Sequence, residues 1–301
     1  MWAGDKAYSD LMRELWGSPG QWNVKKTYVE IAKKLGVDEE TVRNRIKYLK
    51  ESGFLRGWRL VPNPVLFGRS PAFLFLELEN EDSKEEIIAR LGTMDGILVI
   101  TSIYGKSLLV SLFDDGGGSS ARKITNMGID AQALSTPGMN FPQPMRSKMT
   151  VTDWQIVRLL LKDAEKDLSE VAANIRASTR TIRRRLNEML GARTVSIMPL
   201  VNLKKAGGIS YQLMIQSREE KRSEVDEFVA SKIDNLVFRA SASKNVSIFG
   251  FNGANVAEGT EILKWVKKLQ GVKSAKMNIV EDVVHVYDWL EREVSERSRA
   301  E

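Results

Sequence analysis

The sequence contains no cysteine and only one histidine. Without cysteine the chain can form no disulfide bond and offers no thiolate ligand to a metal ion. A single histidine leaves little scope for imidazole ligation or for acid-base catalysis by histidine. We therefore expect no metal site, no cofactor and no catalytic residues. An enzymatic function is thus less favoured than a non-enzymatic one.

Long apolar runs are also missing. No stretch approaches the roughly 18 consecutive apolar residues of a membrane-spanning helix. The first 16 residues, MWAGDKAYSDLMRELW, include acidic residues and have no long apolar core. The expectation is a soluble, cytoplasmic protein without a membrane partner.

The excess of positive charge is small. Forty-five Lys and Arg residues stand against 39 Asp and Glu residues, for a net charge of +6 and a pI of about 9.3. Such an excess matters for binding only where it is concentrated on one surface. The 301 residues are enough for two modules of about 150 residues, each with its own core.

A repeat divides the chain in the same way. Residues 31–68 align with residues 171–207 at an offset of 140 that falls to 139 after one gap. Each copy has the pattern of two short helices joined by a tight turn and followed by a strand, which predicts a helix-turn-helix with a wing. Both copies also place a Thr-x-Arg-x-Arg run on the second helix, which a plain helical repeat does not require.

The segment after each helix-turn-helix predicts an α+β domain with the element order β-α-β-β-α-β. The closing strand of the second domain is predicted at 273–280 and a terminal helix at 284–297. The run DDGGGSS at 114–120 lacks the Gly-Lys-Ser/Thr ending of a phosphate loop and is interpreted as a surface loop. The predicted units are a helix-turn-helix at 1–66, an α+β domain at 67–136, a proline-rich linker at 137–148, a helix-turn-helix at 149–203 and an α+β domain at 204–301.

The second helix of each helix-turn-helix is the candidate DNA-reading element, because it buries one apolar stripe and leaves polar residues on the opposite face. In the first copy the positive and negative charges over residues 38–51 cancel. In the second copy the corresponding helix has no acidic residue before Glu188. We therefore expect the second copy to be the stronger DNA contact. The candidate DNA-binding residues are Thr41, Arg43, Asn44 and Lys47 in the first copy and Arg176, Arg180, Thr181, Arg183, Arg184 and Asn187 in the second.

Other roles for these residues stay open. The arginines of the second copy would be a solvated helix face if they made i,i+4 ion pairs, although Arg180, Arg183 and Arg184 have few acidic partners at that spacing. Arg45 and Arg185 flank the apolar stripe, where packing or a bond within the helix-turn-helix is as reasonable as DNA contact. A local hydrogen bond within the helix is an alternative role for the two threonines.

These residues resemble the Lrp/AsnC, or feast/famine, family of transcription regulators. The first copy matches the family pattern at Ile31, Ala32, Leu35, Gly36, Thr41, Val42, Arg45, Ile46, Leu49, Gly53 and Leu55, and the second at Val171, Ala172, Ile175, Thr181, Ile182, Arg185, Leu186 and Val195. The resemblance implies two tandem copies of a winged helix-turn-helix with a ferredoxin-like effector and assembly domain, the RAM domain. It also implies double-stranded DNA as the partner and a small-molecule effector as a further possibility.

The chain departs from the family in three respects. Ordinary members carry one unit and assemble as dimers or larger rings, so this chain is expected to form a pseudo-dimer by itself or a homodimer. Arg176 replaces the turn glycine of the second copy. The Gly-Asp-Tyr type signature of the amino-acid-binding loop is missing from both hairpins, at 104–106 and 244–246, which argues against amino-acid sensing. The effector-binding residues are unknown.

Two alternatives remain. Siroheme decarboxylases also fuse two Lrp-like units, but they rely on histidines and arginines around a tetrapyrrole, and this chain has one histidine. A chromatin-like protein that coats DNA with little sequence preference is the other alternative. The single histidine, His285, is predicted to be a structural residue with satisfied hydrogen bonds.

Overall fold

The structure is a computed structural model that describes residues 5–16, 27–133, 143–145 and 148–299, with the backbone alone for 131–133. The predicted loop at 17–20 and most of the predicted linker at 137–148 lie outside the described residues. The first half contains α1 (Lys6–Trp16), α2 (Tyr28–Leu35), α3 (Glu39–Glu51), β1 (Leu55–Pro62), β2 (Ser70–Glu77), α4 (Lys84–Gly92), β3 (Ile97–Ile103), β4 (Ser107–Asp114), α5 (Ser119–Thr125) and β5 (Asp130–Ala133). The second contains α6 (Val151–Leu160), α7 (Leu168–Ile175), α8 (Thr179–Gly191), β6 (Val195–Val201), β7 (Ile209–Ser217), α9 (Arg222–Lys232), β8 (Leu236–Ser241), β9 (Val246–Gly253), α10 (Val256–Lys267), β10 (Val272–His285) and α11 (Asp288–Arg297).

Both predicted helix-turn-helix units are present. The apolar stripe of α3 consists of Val42, Ile46 and Leu49, and that of α8 of Ile182, Leu186 and Met189, and all six residues are buried. The turn before each of these helices contains one residue in the left-handed region, which is Gly36 (φ 65°) in the first copy and Arg176 (φ 57°) in the second. The second copy therefore keeps the turn geometry without the glycine that favours it.

The two wing strands pair with each other. β1 and β6 form a two-stranded antiparallel sheet in which Trp58 lies opposite Pro199 and Arg59 opposite Met198. Residues 58 to 62 of β1 are all buried, so both faces of this ribbon are covered by protein. This ribbon joins the two helix-turn-helix units inside one chain.

The two α+β domains form one eight-stranded sheet. The strand order is β5-β2-β4-β3-β10-β7-β9-β8, and each half contributes four antiparallel strands in the arrangement of a β-α-β-β-α-β fold. The predicted α+β architecture, with two tandem winged helix-turn-helix and ferredoxin-like units, is confirmed.

β10 joins the two half-sheets and is longer than predicted. Its first part pairs with β7, and after a bulge between Val280 and Asp282 its last part pairs with β3 of the first half. The predictions of a strand ending at residue 280 and a helix beginning at residue 284 were therefore wrong, because β3 provides hydrogen-bond partners as far as His285. The terminal helix α11 begins at Asp288.

The half-sheets face each other across a third apolar cluster. Phe73 and Phe75 of β2 pack in the same cluster as Ala240 of β8 and Ile248 of β9, whereas the opposite faces of the half-sheets contribute to the two larger cores. Helix α1 also reaches the second half, since the Ser9 hydroxyl donates a hydrogen bond to the Asp234 carbonyl. In the described residues no helix is long and apolar enough to cross a membrane.

Candidate nucleic-acid interface

The outer face of α8 carries a dense group of cations. The helix contains four arginines and one glutamate. Arg180, Arg183 and Arg184 are exposed, as is Arg176 in the preceding turn. Within the described part of the chain, the side chains of Arg176, Arg180 and Arg183 form no ion pair, so their charges are available to a partner outside the protein.

Arg184 differs from its neighbours. Its Nη1 lies 2.6 Å from Oε1 of Glu188, one helical turn later. The expectation that Arg184 has few acidic partners is corrected by this contact. Because both side chains are largely exposed, the pair is a weak, salt-sensitive contact that a phosphate can displace.

The corresponding face of α3 is more nearly neutral. Arg43 Nη2 lies 2.6 Å from Glu39 Oε1, and the guanidinium lies 5.2 Å from the centre of the Tyr28 ring. Lys47 lies 3.8 Å from Glu51. Arg43, Asn44 and Lys47 are exposed, as predicted, but both cations have acidic partners on the same helix.

The two reading helices also begin differently. The Asp38 carboxylate caps α3 by accepting a hydrogen bond from the Thr41 backbone N–H, and this bond lowers the pKa of Asp38. The Ser178 hydroxyl accepts the equivalent bond from the Thr181 N–H at the start of α8. A helix N-terminus attracts anions, and the charged cap of α3 opposes that attraction whereas the neutral cap of α8 does not.

The flanking arginines and the threonines serve the domain itself. Arg185 Nη1 lies 3.1 Å from both Asp153 Oδ1 and Thr150 Oγ1, which joins α8 to the start of α6. Arg45 Nη1 lies 3.5 Å from the Ala7 carbonyl oxygen of α1. Thr41 and Thr181 are half-buried, and the Thr181 hydroxyl lies 2.9 Å from that of Ser178. Of the candidate DNA-binding residues, the two threonines are thus the least available.

The glycine-rich run at 114–120 does not bind an anion through its backbone. The Asp114 carboxylate accepts hydrogen bonds from the N–H groups of Gly116, Gly118 and Ser120. The loop therefore supplies its own anion. No group of three or more metal-ligating side chains occurs in the part of the chain that the structure describes.

His285 is not the satisfied structural histidine that was predicted. Both of its ring nitrogens are buried and have no hydrogen-bond partner among the described residues. Arg59, which sequence reasoning did not single out, lies on β1 with only 2% of its surface exposed. The one signal in the sequence is that Arg59 stands within an otherwise apolar strand, Trp58 to Val61.

Two known proteins, both named as HTH-type transcriptional regulators, are similar to parts of this chain. The chain is 35% identical over 85 residues to the HTH-type transcriptional regulator Ptr1 of Methanocaldococcus jannaschii, a match that covers 28% of this chain and 57% of that protein. It is 46% identical over 43 residues to the HTH-type transcriptional regulator LrpA of Pyrococcus horikoshii, covering 14% of this chain and 30% of that one. The chain thus spans less than two thirds of the length of either relative. No protein-family model matches it.

A solved structure matches almost the whole chain. The siroheme decarboxylase NirDL is similar over 97% of this chain and 98% of its own, with a TM-score of 0.59 and 13% sequence identity. Its complex with an iron-uroporphyrin III analogue gives a TM-score of 0.57. At this identity the likeness is one of fold. The family pattern in both helix-turn-helix copies, the two α+β domains and these matches together show that the chain is similar to the Lrp/AsnC regulators, with the unit present twice in one polypeptide.

Proposed function

We propose that the chain is a transcription regulator that binds duplex DNA through its helix-turn-helix units, with α8 as the main contact. The observation that carries this proposal is the exposed face of α8, where Arg180 and Arg183 have no ion pair within the described residues. Two relatives that match parts of the chain are named as HTH-type transcriptional regulators, which supports the same function.

Arginines suit both tasks of such a helix. A guanidinium binds a phosphate as a charged donor, and its fork can also donate two hydrogen bonds to O6 and N7 of guanine. We assign phosphate or base contact to Arg176, Arg180, Arg183 and Arg184. The Asn187 amide, two turns into the helix, has the donor and acceptor that adenine requires.

In this proposal the helix-turn-helix of the first copy binds DNA more weakly than that of the second. Binding a phosphate with Arg43 or Lys47 requires displacing Glu39 or Glu51, and the Asp38 cap adds a further negative charge at the same end of α3. Thr41 and Asn44 would then contribute polar contacts with little net attraction. The pairing of β1 with β6 connects the two helix-turn-helix units. The α+β domains hold the two halves together and provide a place where a small-molecule effector would bind.

The test is duplex-DNA binding over a salt series with two matched double variants, Arg180→Ala/Arg183→Ala and Arg43→Ala/Lys47→Ala. Each removes two cations from the same face of one reading helix. Each neutralised phosphate contributes about 0.9 to the slope of log K against log salt. We expect the first variant to lose roughly 1.8 units of slope and the second clearly less. Equal losses in the two variants would contradict the assignment of α8 as the main contact, and absence of binding by the intact protein would contradict the function.

Two further classes are separated by simple measurements. The full-length likeness to NirDL makes a tetrapyrrole enzyme the second candidate, and titration with an iron-uroporphyrin would reveal it by a shifted Soret absorption band. A regulator prefers its operator over random DNA by a factor of about 10³ or more, whereas a chromatin-like protein does not. Competition between selected and random duplexes at fixed salt distinguishes these two.

A further inference from the structure

A buried guanidinium without an acidic partner among the described residues lies where the wing ribbon meets the rest of the molecule. Arg59 is 2% exposed, and its Nε and Nη1 have no hydrogen-bond partner among the described residues. Among the described residues no carboxylate forms an ion pair with it. The centre of the Tyr287 ring lies 5.4 Å from the guanidinium carbon, and the Tyr287 side chain also forms a hydrogen bond with Arg59. Buried arginines are ordinarily paired, so this one requires an explanation.

The only histidine of the chain is close to this arginine. His285 is the last residue of β10, and both of its ring nitrogens are buried without a hydrogen-bond partner in the part of the chain that the structure describes. Burial, together with the charges of Arg59 and Arg56, lowers the pKa of His285 to about 3. Tyr287, whose ring lies beside the Arg59 guanidinium, follows His285 by two residues, which places Arg59 and His285 in one neighbourhood.

Two acidic residues near this neighbourhood have other partners. Glu165, which lies beside Gly57 of β1, is 2.6 Å from Lys50, and Glu291 of α11 is 2.6 Å from Lys162. A water molecule can satisfy a ring nitrogen, but it does not neutralise a guanidinium. A buried cation without a counter-charge is strongly unfavourable, whereas a bound anion would remove both the unpaired charge and the unsatisfied donors.

We propose that Arg59 and His285 form a binding site for an oxyanionic group, a carboxylate or phosphate carried by a small ligand. The Arg59 guanidinium donates a hydrogen bond from Nε or from Nη1 to a ligand oxygen, and a ring N–H of His285 donates another. His285 as a residue is partly exposed and Arg56 is exposed, so the site borders the surface and carries a positive charge at its rim.

The position of the site gives it a structural consequence. Arg59 belongs to the wing strand of the first half, and His285 belongs to the last strand of the second. A ligand bound to both side chains bridges the helix-turn-helix ribbon and the α+β sheet. This proposal does not depend on DNA binding, and its test uses no DNA, so the two proposals can fail separately.

The experiment exploits the single histidine. In untagged full-length protein the imidazole of His285 gives one pair of ring-nitrogen signals in a ¹H–¹⁵N spectrum, and no other side chain of that type is present. The probes are inorganic phosphate and succinate, each titrated separately at constant ionic strength maintained with sodium chloride. We expect a saturable shift of the His285 signals and a parallel rise in Tm, and the probe that binds more tightly identifies phosphate or carboxylate as the preferred group.

Two variants complete the test. Arg59→Met keeps the length of the side chain but removes every donor, and it should weaken the binding of the anion about tenfold or more. Arg292→Met is the matched control, since Arg292 is an exposed arginine of α11 paired with Asp95, and it should leave the response unchanged. If neither anion shifts the His285 signals of the wild-type protein beyond the effect of chloride, the site does not exist. This result is decisive even if Arg59→Met does not fold.

Discussion

The burial of His285 predicts a specific loss of stability in mild acid. Its pKa is about 3 in the folded protein, because burial and the neighbouring Arg59 and Arg56 disfavour the charged ring, and about 6.5 in an unfolded chain. Above pH 6.5 the ring is neutral in both the folded and the unfolded state, so its titration does not change the free energy of unfolding. Below pH 6.5 the unfolded state takes up a proton that the folded state refuses, so stability falls as the pH drops toward 3.

The size of this effect follows from the two pKa values. One pKa unit corresponds to 1.36 kcal/mol, and pH 5.0 lies 1.5 units below the unfolded value. Between pH 7.5 and pH 5.0 the histidine should therefore remove about 2 kcal/mol from the free energy of unfolding. This is a large share of the stability of an ordinary domain.

The assay compares the wild type with His285→Gln, which is polar but does not titrate. Urea unfolding is measured at both pH values in amine buffers with chloride as the only anion, because an anion bound at Arg59 would raise the pKa of the ring. Both proteins contain the same carboxylates, so the contributions of these groups to the pH dependence cancel when the variant is subtracted from the wild type. The wild type should lose about 2 kcal/mol more than the variant. A difference that does not change with pH would show that the ring is hydrated or paired in solution and would refute the reasoning.

Three further predictions concern the helix-turn-helix units. Arg176→Gly should raise the free energy of unfolding by about 1 kcal/mol, because glycine accepts the left-handed turn, and Gly36→Arg should lower it by a similar amount, both measured by urea unfolding. Asp153→Ala should cost about 3 kcal/mol in the same assay, because it leaves the inward-facing Arg185 without its buried partner, and a cost below 1 kcal/mol would contradict a structural role for that pair. Glu40→Arg gives α3 the cation that α8 has at the equivalent position, so the salt dependence of DNA binding should steepen by about 0.9, and an unchanged slope would show that α3 does not contact DNA.

The helix-turn-helix units were largely predictable from the sequence, because their determinants are local. The apolar residues of α3 and α8 recur at helical spacing, and Gly36 and Asp38 mark the turn and the cap within a few residues of each other. The exposed arginines of α8 follow from the same periodicity. The ion pair of Arg184 was also predictable, because Glu188 lies four residues later on the same helix.

Contacts between the two halves were not predictable in this way. The extension of β10 to His285 depends on β3, which lies about 180 residues earlier, and no local pattern in the sequence encodes that pairing. The burial of Arg59 depends in the same way on the pairing of β1 with β6 and on what covers the ribbon. An arginine in a strand is usually exposed, so its sequence context alone indicates the surface.

The sequence by itself therefore determined the duplicated unit, the element order and the cationic face of α8, because periodicity, caps and charge spacing act over a few residues. Only the tertiary structure decided how the halves are joined and which polar groups are left without partners. Packing against the rest of the chain covers both faces of the wing ribbon, and burial leaves polar atoms of Arg59 and His285 without hydrogen-bond partners among the described residues. Burial and partnership are properties of long-range packing, and in this chain they create the candidate ligand site.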